Sequence, residues 1–180
     1  TNTSSNDIFL WTLYNEKKAV RLGEGGINKG FITDAAFERG QQALAGFYAV
    51  IQQYNVERIA AFGTSALRNA SNGQTFVETT AARTGIHIEL IDGNREAELI
   101  YKGVRDAVPL DENCSLIIDI GGGSTEFILA CEHKIYWQQS FEIGAARLLE
   151  RFKPSDPLLQ AEEDAMRTYL DEALLPLYAA

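Results

Sequence analysis

The run Ile117-Ile118-Asp119-Ile120-Gly121-Gly122-Gly123-Ser124-Thr125-Glu126-Phe127 concentrates more chemistry than any other stretch of the chain. Its three glycines, set between two apolar segments, let backbone N–H groups approach a phosphate with no side chain in the way. Ser124 and Thr125 add hydroxyl donors at the end of the turn. Asp119 falls at the carboxyl end of an expected buried strand, where one carboxylate can hold a hydrated magnesium ion. Glu126, beyond the loop, can take a second position on that metal or its water. An ordinary hairpin with a glycine-rich turn is the plainer reading, and the acids flanking this turn weigh against it.

Two further segments carry polar groups. Thr64-Ser65 leads into Arg68, where a guanidinium can grip a phosphate bidentately while hydroxyls and loop amides donate to other oxygens. A surface arginine in a polar loop is the alternative. Glu96 stands in the first turn of an expected helix, where a carboxylate meets the helix dipole for roughly 0.3–1 kcal/mol without any catalytic role. Glu98 lies roughly 200° round the helix from Glu96, at ~100° per residue, and reads as a solvated neighbour. His87 alternates with Ile86 and Ile88 as the outward residue of a strand, and His133 sits in an expected turn. Phe37, Phe47 and Tyr48 read as core at helical spacing, and Glu162-Glu163-Asp164 as a solvated helix face.

Positioning these groups takes alternating strands and helices. Residues 8–14 and 17–22 read as a hairpin across Asn15-Glu16, closed by Gly23-Glu24-Gly25-Gly26. Thr33-Asp34 begins a helix whose apolar residues recur through Tyr54. A buried strand is expected over 56–62, and a helix over 74–83 that stops at Gly85 in a left-handed cap. A strand over 86–91, a turn at Asp92-Gly93-Asn94 and a helix over 95–108 follow, with Pro109 ending the helix. Strands over 114–120, 125–131 and 134–142 come next, then helices over 144–152 and 157–178. The first part argues for an α/β layer with parallel strand pairs. The second begins a sheet of its own, with 109–113 as the boundary.

Composition narrows the partners. With 25 acidic against 16 basic residues among 180, the formal charge is −9, which argues against a basic face for DNA or RNA. A polyanion can be bound only where cations and a few focused basic groups reverse the local sign. The longest apolar runs are far short of a membrane span, and no secretory leader pattern opens the chain. Cys114 and Cys131 have no CxxC or histidine company, so reduced cysteines in a cytoplasmic protein are expected.

The run DIGGGSTEF is similar to the second phosphate loop of the Ppx/GppA phosphatases, members of the actin-like superfamily that also contains sugar and acetate kinases. In the same order, Leu22-Gly23-Glu24-Gly25-Gly26-Ile27 resembles the family's early glycine segment. Thr64-Ser65-Ala66-Leu67-Arg68-Asn69-Ala70 resembles its loop after the first long helix, and Glu96-Ala97-Glu98-Leu99-Ile100-Tyr101-Lys102-Gly103-Val104 its interlobe helix. The resemblance implies an α/β, actin-like (ribonuclease H-like) two-lobe architecture with mixed sheets flanked by helices. Residues 1–108 would form the first lobe and 109–180 the start of a second, incomplete in this chain.

It also implies an exopolyphosphatase that hydrolyses the terminal phosphoanhydride of inorganic polyphosphate and releases orthophosphate, assisted by Mg2+ or another divalent cation. Glu96 would be the general base, with Asp119 and Glu126 catalytic through the metal they hold. Gly121, Gly122, Gly123, Ser124, Thr64, Ser65 and Arg68 would bind phosphates. Asn2 and Thr3 resemble part of the family's first phosphate loop, although the Asp-bearing strand that precedes it there has no counterpart in this chain. Arg95 stands where many relatives carry a second acid. No DNA, RNA or membrane partner is expected, and a homodimer is implied for full-length members. Three alternatives stay open: hydrolysis of guanosine pentaphosphate, which presents the same anhydride; a sensor that binds guanosine penta- or tetraphosphate without hydrolysis; and a kinase of the superfamily. The kinase would need an adenosine-binding segment not found by residue 180.

Overall fold

Thr33 starts the first long helix as its type requires: its hydroxyl accepts the amide of Ala36, satisfying a first-turn donor. The computed structural model describes residues 12–178. In it this helix (α1, Asp34–Gln53) packs on α3 (Gly73–Thr84). The buried amide of Gln41 cross-links the two, donating to Phe76 O at 3.1 Å and Thr80 Oγ1 at 2.9 Å. Gly85 ends α3 with φ 72°, the left-handed cap its position predicts.

Two short strands, β1 (Ala61–Gly63) before α3 and β2 (Ile88–Leu90) after it, pair in parallel, with the four-residue helix α2 (Ser65–Arg68) after β1. Ile32, Ala36, Leu67, Phe76, Ile86 and Ile88 form the first core.

The strand expected over 56–62 is largely corrected. Only its end pairs, and Val56, Ile59 and Phe62 remain 46%, 46% and 43% exposed, with no neighbour covering them among the described residues. Residues 17–22 form no strand either, and most of the expected partner, 8–14, lies outside the described residues. Alternation makes a strand only where a neighbouring backbone completes the ladder; here Arg39 Nε donates to Val20 O at 3.0 Å instead.

The helix expected over 95–108 starts earlier. Asp92 is its cap, its carboxylate accepting Arg95 N at 2.8 Å, so Gly93 and Asn94 belong to α4 (Gly93–Ala107) rather than to a separate turn. α4 lies on an antiparallel sheet of order β3-β4-β5: β3 (Ser115–Ile120), β4 (Thr125–Ala130) and β5 (Ile135–Phe141). Ala97 and Tyr101 of α4 meet Ile128 and Ala130 of β4 in a second core.

On the other face, Phe127, Phe141 and Ile143 pack beneath α6 (Gln160–Ala173) and α7 (Leu175–Tyr178). That cover does not extend to β3. The expected buried strand leaves Leu116, Ile118 and Ile120 at 53%, 49% and 69% exposure, because among the described residues it is the sheet edge. α5 (Ala145–Phe152) follows β5. The single helix expected over 157–178 starts at Gln160, where Glu162 reaches back to the amides of Leu159 and Ser155, and splits at Leu174. Pro176 lacks the N–H that would continue α6. No described helix is long and apolar enough to cross a membrane.

Candidate active site

The glycine loop between β3 and β4 owes its shape to α5. Gly121 N donates to Ser124 O at 2.9 Å, closing the turn. The loop's carbonyls are then taken by the start of α5: Ala145 N donates to Gly121 O at 2.9 Å, Ala146 N and Arg147 N to Gly122 O at 2.9 and 3.1 Å, and Gly144 N to Gly123 O at 3.3 Å. Arg147 Nε adds a 3.0 Å bond to Gly123 O. In a trans peptide each N–H points opposite to the preceding C=O. The amides of Gly122, Gly123 and Ser124 therefore face away from α5, and none donates to a protein acceptor among the described residues. A helix start and a loop each satisfy the other's orphan groups, and three amides are left over for an anion.

This packing needs Gly144. A Cβ there would lie 2.5 Å from Gly122 C, Gly123 C and Gly123 N, all rigid backbone.

These amides border a cleft of about 880 Å³. The GGGS loop forms one wall, Gly23-Glu24-Gly25 another, Thr64-Ser65-Ala66 a third, and Glu96 reaches it from α4. The early glycine segment and the GGGS loop thus meet in one place. Arg21 is the one cation lining the cleft, and its guanidinium makes no ion pair among the described residues.

Glu96 is held from behind. Arg68 Nη1 donates to its Oε2 at 3.0 Å and also to Ile91 O at 2.9 Å. Burial pushes the Glu96 carboxyl above the ordinary glutamate value; the hydrogen bond from Arg68 opposes this, and the nearby charge of Glu126 adds to the rise. Thr64, beside this carboxylate, works in the same direction as Arg68. The net direction, upwards, suits a group that must take a proton near neutrality.

Glu126 is 1% exposed and accepts Ser140 Oγ at 2.6 Å. It stands opposite Asp119 across β3 and β4, which puts both carboxylates on the same sheet face as α4. Asp119 is exposed at the sheet edge and does not line the cleft. Among the described residues no three acidic, histidine or cysteine groups converge into an all-protein metal cage. Magnesium is usually held by one or two carboxylates with waters and substrate phosphates completing its shell, a number that Asp119 and Glu126 supply. The chemistry of the donors also fits. Asp119 accepts no side-chain hydrogen bond among the described residues, and Glu126 raises the proton affinity of Glu96, a sign of excess negative charge.

Of the expected phosphate ligands, Gly121, Gly122, Gly123, Ser124, Thr64 and Ser65 line the cleft and Arg68 does not. Its guanidinium is spent on Glu96, Ile91 O and Glu142. Asn2 and Thr3 lie outside the described residues. Arg95 pairs with Glu98 at 2.8 Å on the half-exposed side of α4, and His87 and His133 are exposed as expected.

Sequence reasoning missed Arg21, Glu142, Gly144 and Arg147. Only Gly144 left a signal, a glycine immediately before an amphipathic helix.

A model of the Ppx/GppA phosphatase family matches residues 3–179. The chain belongs to this family. Exopolyphosphatase 2 of Mycobacterium tuberculosis is 33% identical over 172 residues, covering 93% of this chain and 54% of that protein. Guanosine-5'-triphosphate,3'-diphosphate pyrophosphatase of Photobacterium profundum is 30% identical over 183 residues, covering 96% of this chain and 37% of that protein. The crystal structure of an exopolyphosphatase from Cytophaga hutchinsonii superposes with a TM-score of 0.91 at 47% identity, covering 93% of this chain and 54% of that one. The chain thus spans about half the length of these Ppx/GppA relatives, or less. Its α/β architecture is the actin-like one of the family.

Proposed function

We propose that the protein hydrolyses the terminal phosphoanhydride of inorganic polyphosphate and releases orthophosphate. The observation that carries this reading is the set of unpartnered amides of Gly122, Gly123 and Ser124 in the loop lining the cleft that Glu96 also borders. Phosphoryl transfer asks a protein mainly for positioning and for charge stabilisation on the equatorial oxygens. The loop amides and the Ser124 hydroxyl hold those oxygens, and Arg21 supplies the positive charge at the cleft wall. Glu96 orients a water molecule, takes its proton as the water oxygen bonds to the terminal phosphorus, and leaves the bridging oxygen with the shortened chain. Asp119 and Glu126 would hold a divalent cation, which lowers the charge on the phosphates when bound. Arg68 keeps the Glu96 carboxylate pointed into the cleft.

Residues 1–108 and 109–180 are taken as contributions of two lobes to this cleft, in a cytoplasmic enzyme. The similarity to an exopolyphosphatase at 47% identity supports polyphosphate over guanosine pentaphosphate.

The test is orthophosphate release from long-chain polyphosphate with magnesium, in the intact protein and in Glu96→Gln. Release that drops roughly 10²–10⁴-fold in the variant, the usual range for a general base, supports the reading. Equal rates remove Glu96 as base. Release from guanosine pentaphosphate but not polyphosphate moves the substrate to the nucleotide, and binding without release makes the protein a sensor.

A further inference from the structure

Glu142 follows β5 directly and makes more directed contacts than any residue of the proposed chemistry. Its Oε2 accepts Ser65 Oγ at 2.9 Å and a bond from Arg147 Nη2. Its Oε1 accepts Asn69 Nδ2 at 2.9 Å and Arg68 Nη2 at 3.4 Å. Ser65, Arg68 and Asn69 belong to α2 and its C-cap, on the side of the parallel sheet, whereas Arg147 belongs to α5.

Each arginine leads on to a functional group. Arg68 turns its other nitrogen, Nη1, to Glu96 at 3.0 Å, while Arg147 directs Nε to Gly123 O at 3.0 Å and Nη1 to Ile27 O at 3.2 Å. One carboxylate thus stands between the base and the phosphate loop, reaching both through a guanidinium.

We propose that Glu142 is a positioning residue that clasps α2 to the β5–α5 junction and fixes the base and the phosphate loop at one separation. An exposed ion pair would contribute little. This one differs because, although the Glu142 side chain is 45% exposed, its arginines are only 19% and 13% exposed and its oxygens share four donors. Arg68 and Arg147 with Glu96 and Glu142 make a balanced set of two positive and two negative groups. Neutralising Glu142 leaves two partly buried cations with one anion, Glu96, which pairs with Arg68 alone. They repel, and each is free to leave its second partner. The carboxylate also holds its charged form below the ordinary glutamate range. Burial works against this and the bonds from Asn69 and Ser65, with both arginine charges, outweigh it. The clasp is therefore fully charged at neutral pH.

The catalytic consequence rests on the proposed hydrolysis, and the clasp itself does not, so the experiment reads them separately. Glu142→Gln and Glu142→Asp are made in the intact protein, with orthophosphate release from polyphosphate and backbone hydrogen exchange over residues 64–69 measured on each. The expected result for Glu142→Gln is a kcat lowered roughly 10- to 100-fold, the scale of an ångström-size misplacement, with KM within about twofold. Exchange at 64–69 rises, and Glu142→Asp, which keeps the charge on a shorter arm, recovers part of the kcat. A wild-type kcat in Glu142→Gln overturns the proposal. So does a loss of activity in which global unfolding, rather than local exchange, accounts for the whole effect. If the wild-type protein releases no phosphate, the hydrolase reading falls. The clasp then stands or falls on exchange alone, and unchanged protection at 64–69 overturns it.

Discussion

Replacing Gly144 with alanine adds one methyl group at the point where α5 meets the phosphate loop. That methyl would sit 2.5 Å from three backbone atoms of Gly122 and Gly123, whereas ordinary van der Waals contact begins near 3.4 Å. The backbone must therefore separate by about 0.9 Å, since no flexible side chain is available to yield. Relief on that scale lengthens the 2.9 Å bonds from Ala145 N to Gly121 O and from Ala146 N to Gly122 O beyond hydrogen-bond range. Overpacking of this kind costs about 1–3 kcal/mol, or a fall in Tm of about 2–12 °C for a domain of this size. The larger effect is functional: with its carbonyls released, the loop no longer aims its amides, and a displacement near 1 Å can cost ~10²-fold in rate. The assay is kcat/KM for phosphate release, alongside thermal melting, with Gly103→Ala as the control. A Cβ at Gly103, inside α4, would meet nothing within 4 Å, so alanine there is expected to add about 0.5–1 kcal/mol of stability and leave kcat/KM unchanged. A Gly144→Ala protein with near-normal kcat/KM would refute the claim that the α5 contact sets the loop.

Because burial raises Glu96 and the proposed base must be deprotonated to act, kcat/KM should fall as pH drops through a value above the ordinary glutamate range; a limb at or below that range argues against Glu96 as the base. Glu142 is shifted the other way, so its stabilisation is fully present above its unfolded-state value and is lost as pH falls through the lower folded-state value. The stability gap between wild type and Glu142→Gln, measured by urea denaturation, should thus be constant near neutrality and close in acid. A gap that instead widens on acidification contradicts the assignment. Arg21→Gln should raise KM for polyphosphate roughly tenfold, the loss of one charge-assisted hydrogen bond, with a smaller change in kcat and an unaltered Tm. An unchanged KM would take Arg21 out of the binding site.

The parts of this structure legible in the sequence are those set by local chemistry. Thr33, Gly85 and the apolar run after Thr125 specified a cap, a stop and a strand through contacts within a few residues, and these elements form where expected. The GGGS loop was legible for the same reason, since only glycine leaves backbone amides so accessible. The short β1 and the absent strand at 17–22 were misread because apolar alternation marks a segment able to pair, while pairing depends on what lies beside it. Arg68 was misread because an arginine after Thr64-Ser65 looks the same whether it meets a phosphate or a carboxylate. The deciding partners, Glu96 and Glu142, lie 28 and 74 residues away in the chain. Arg147 and Glu142 carried no local signal at all, as their contacts to Ile27 and Ser65 span 120 and 77 residues.

How a chain of net charge −9 could bind a polyanion also follows from this arrangement. Focused lysines are one solution, and among the described residues the cleft is lined by none; Arg21 is the cation found there, against the carboxylates of Glu24, Glu96 and Glu150. In the proposed site the positive partial charges come instead from the backbone. The first amides of α5 are consumed by the carbonyls of Gly121, Gly122 and Gly123, so the positive end of that helix lies directly behind the loop. The peptide units of the loop continue the same orientation, carbonyl towards the helix and N–H away from it, and so extend the helix field by one more layer of aligned dipoles. Such a field is fixed in place and costs no reorganisation during reaction. It is also indifferent to the acidic surface, which is screened within about 10 Å at ordinary ionic strength. Composition therefore argues against a basic nucleic-acid face without weighing against the proposed phosphate site, because the groups proposed to bind phosphate belong to the main chain and contribute nothing to the count of charged residues.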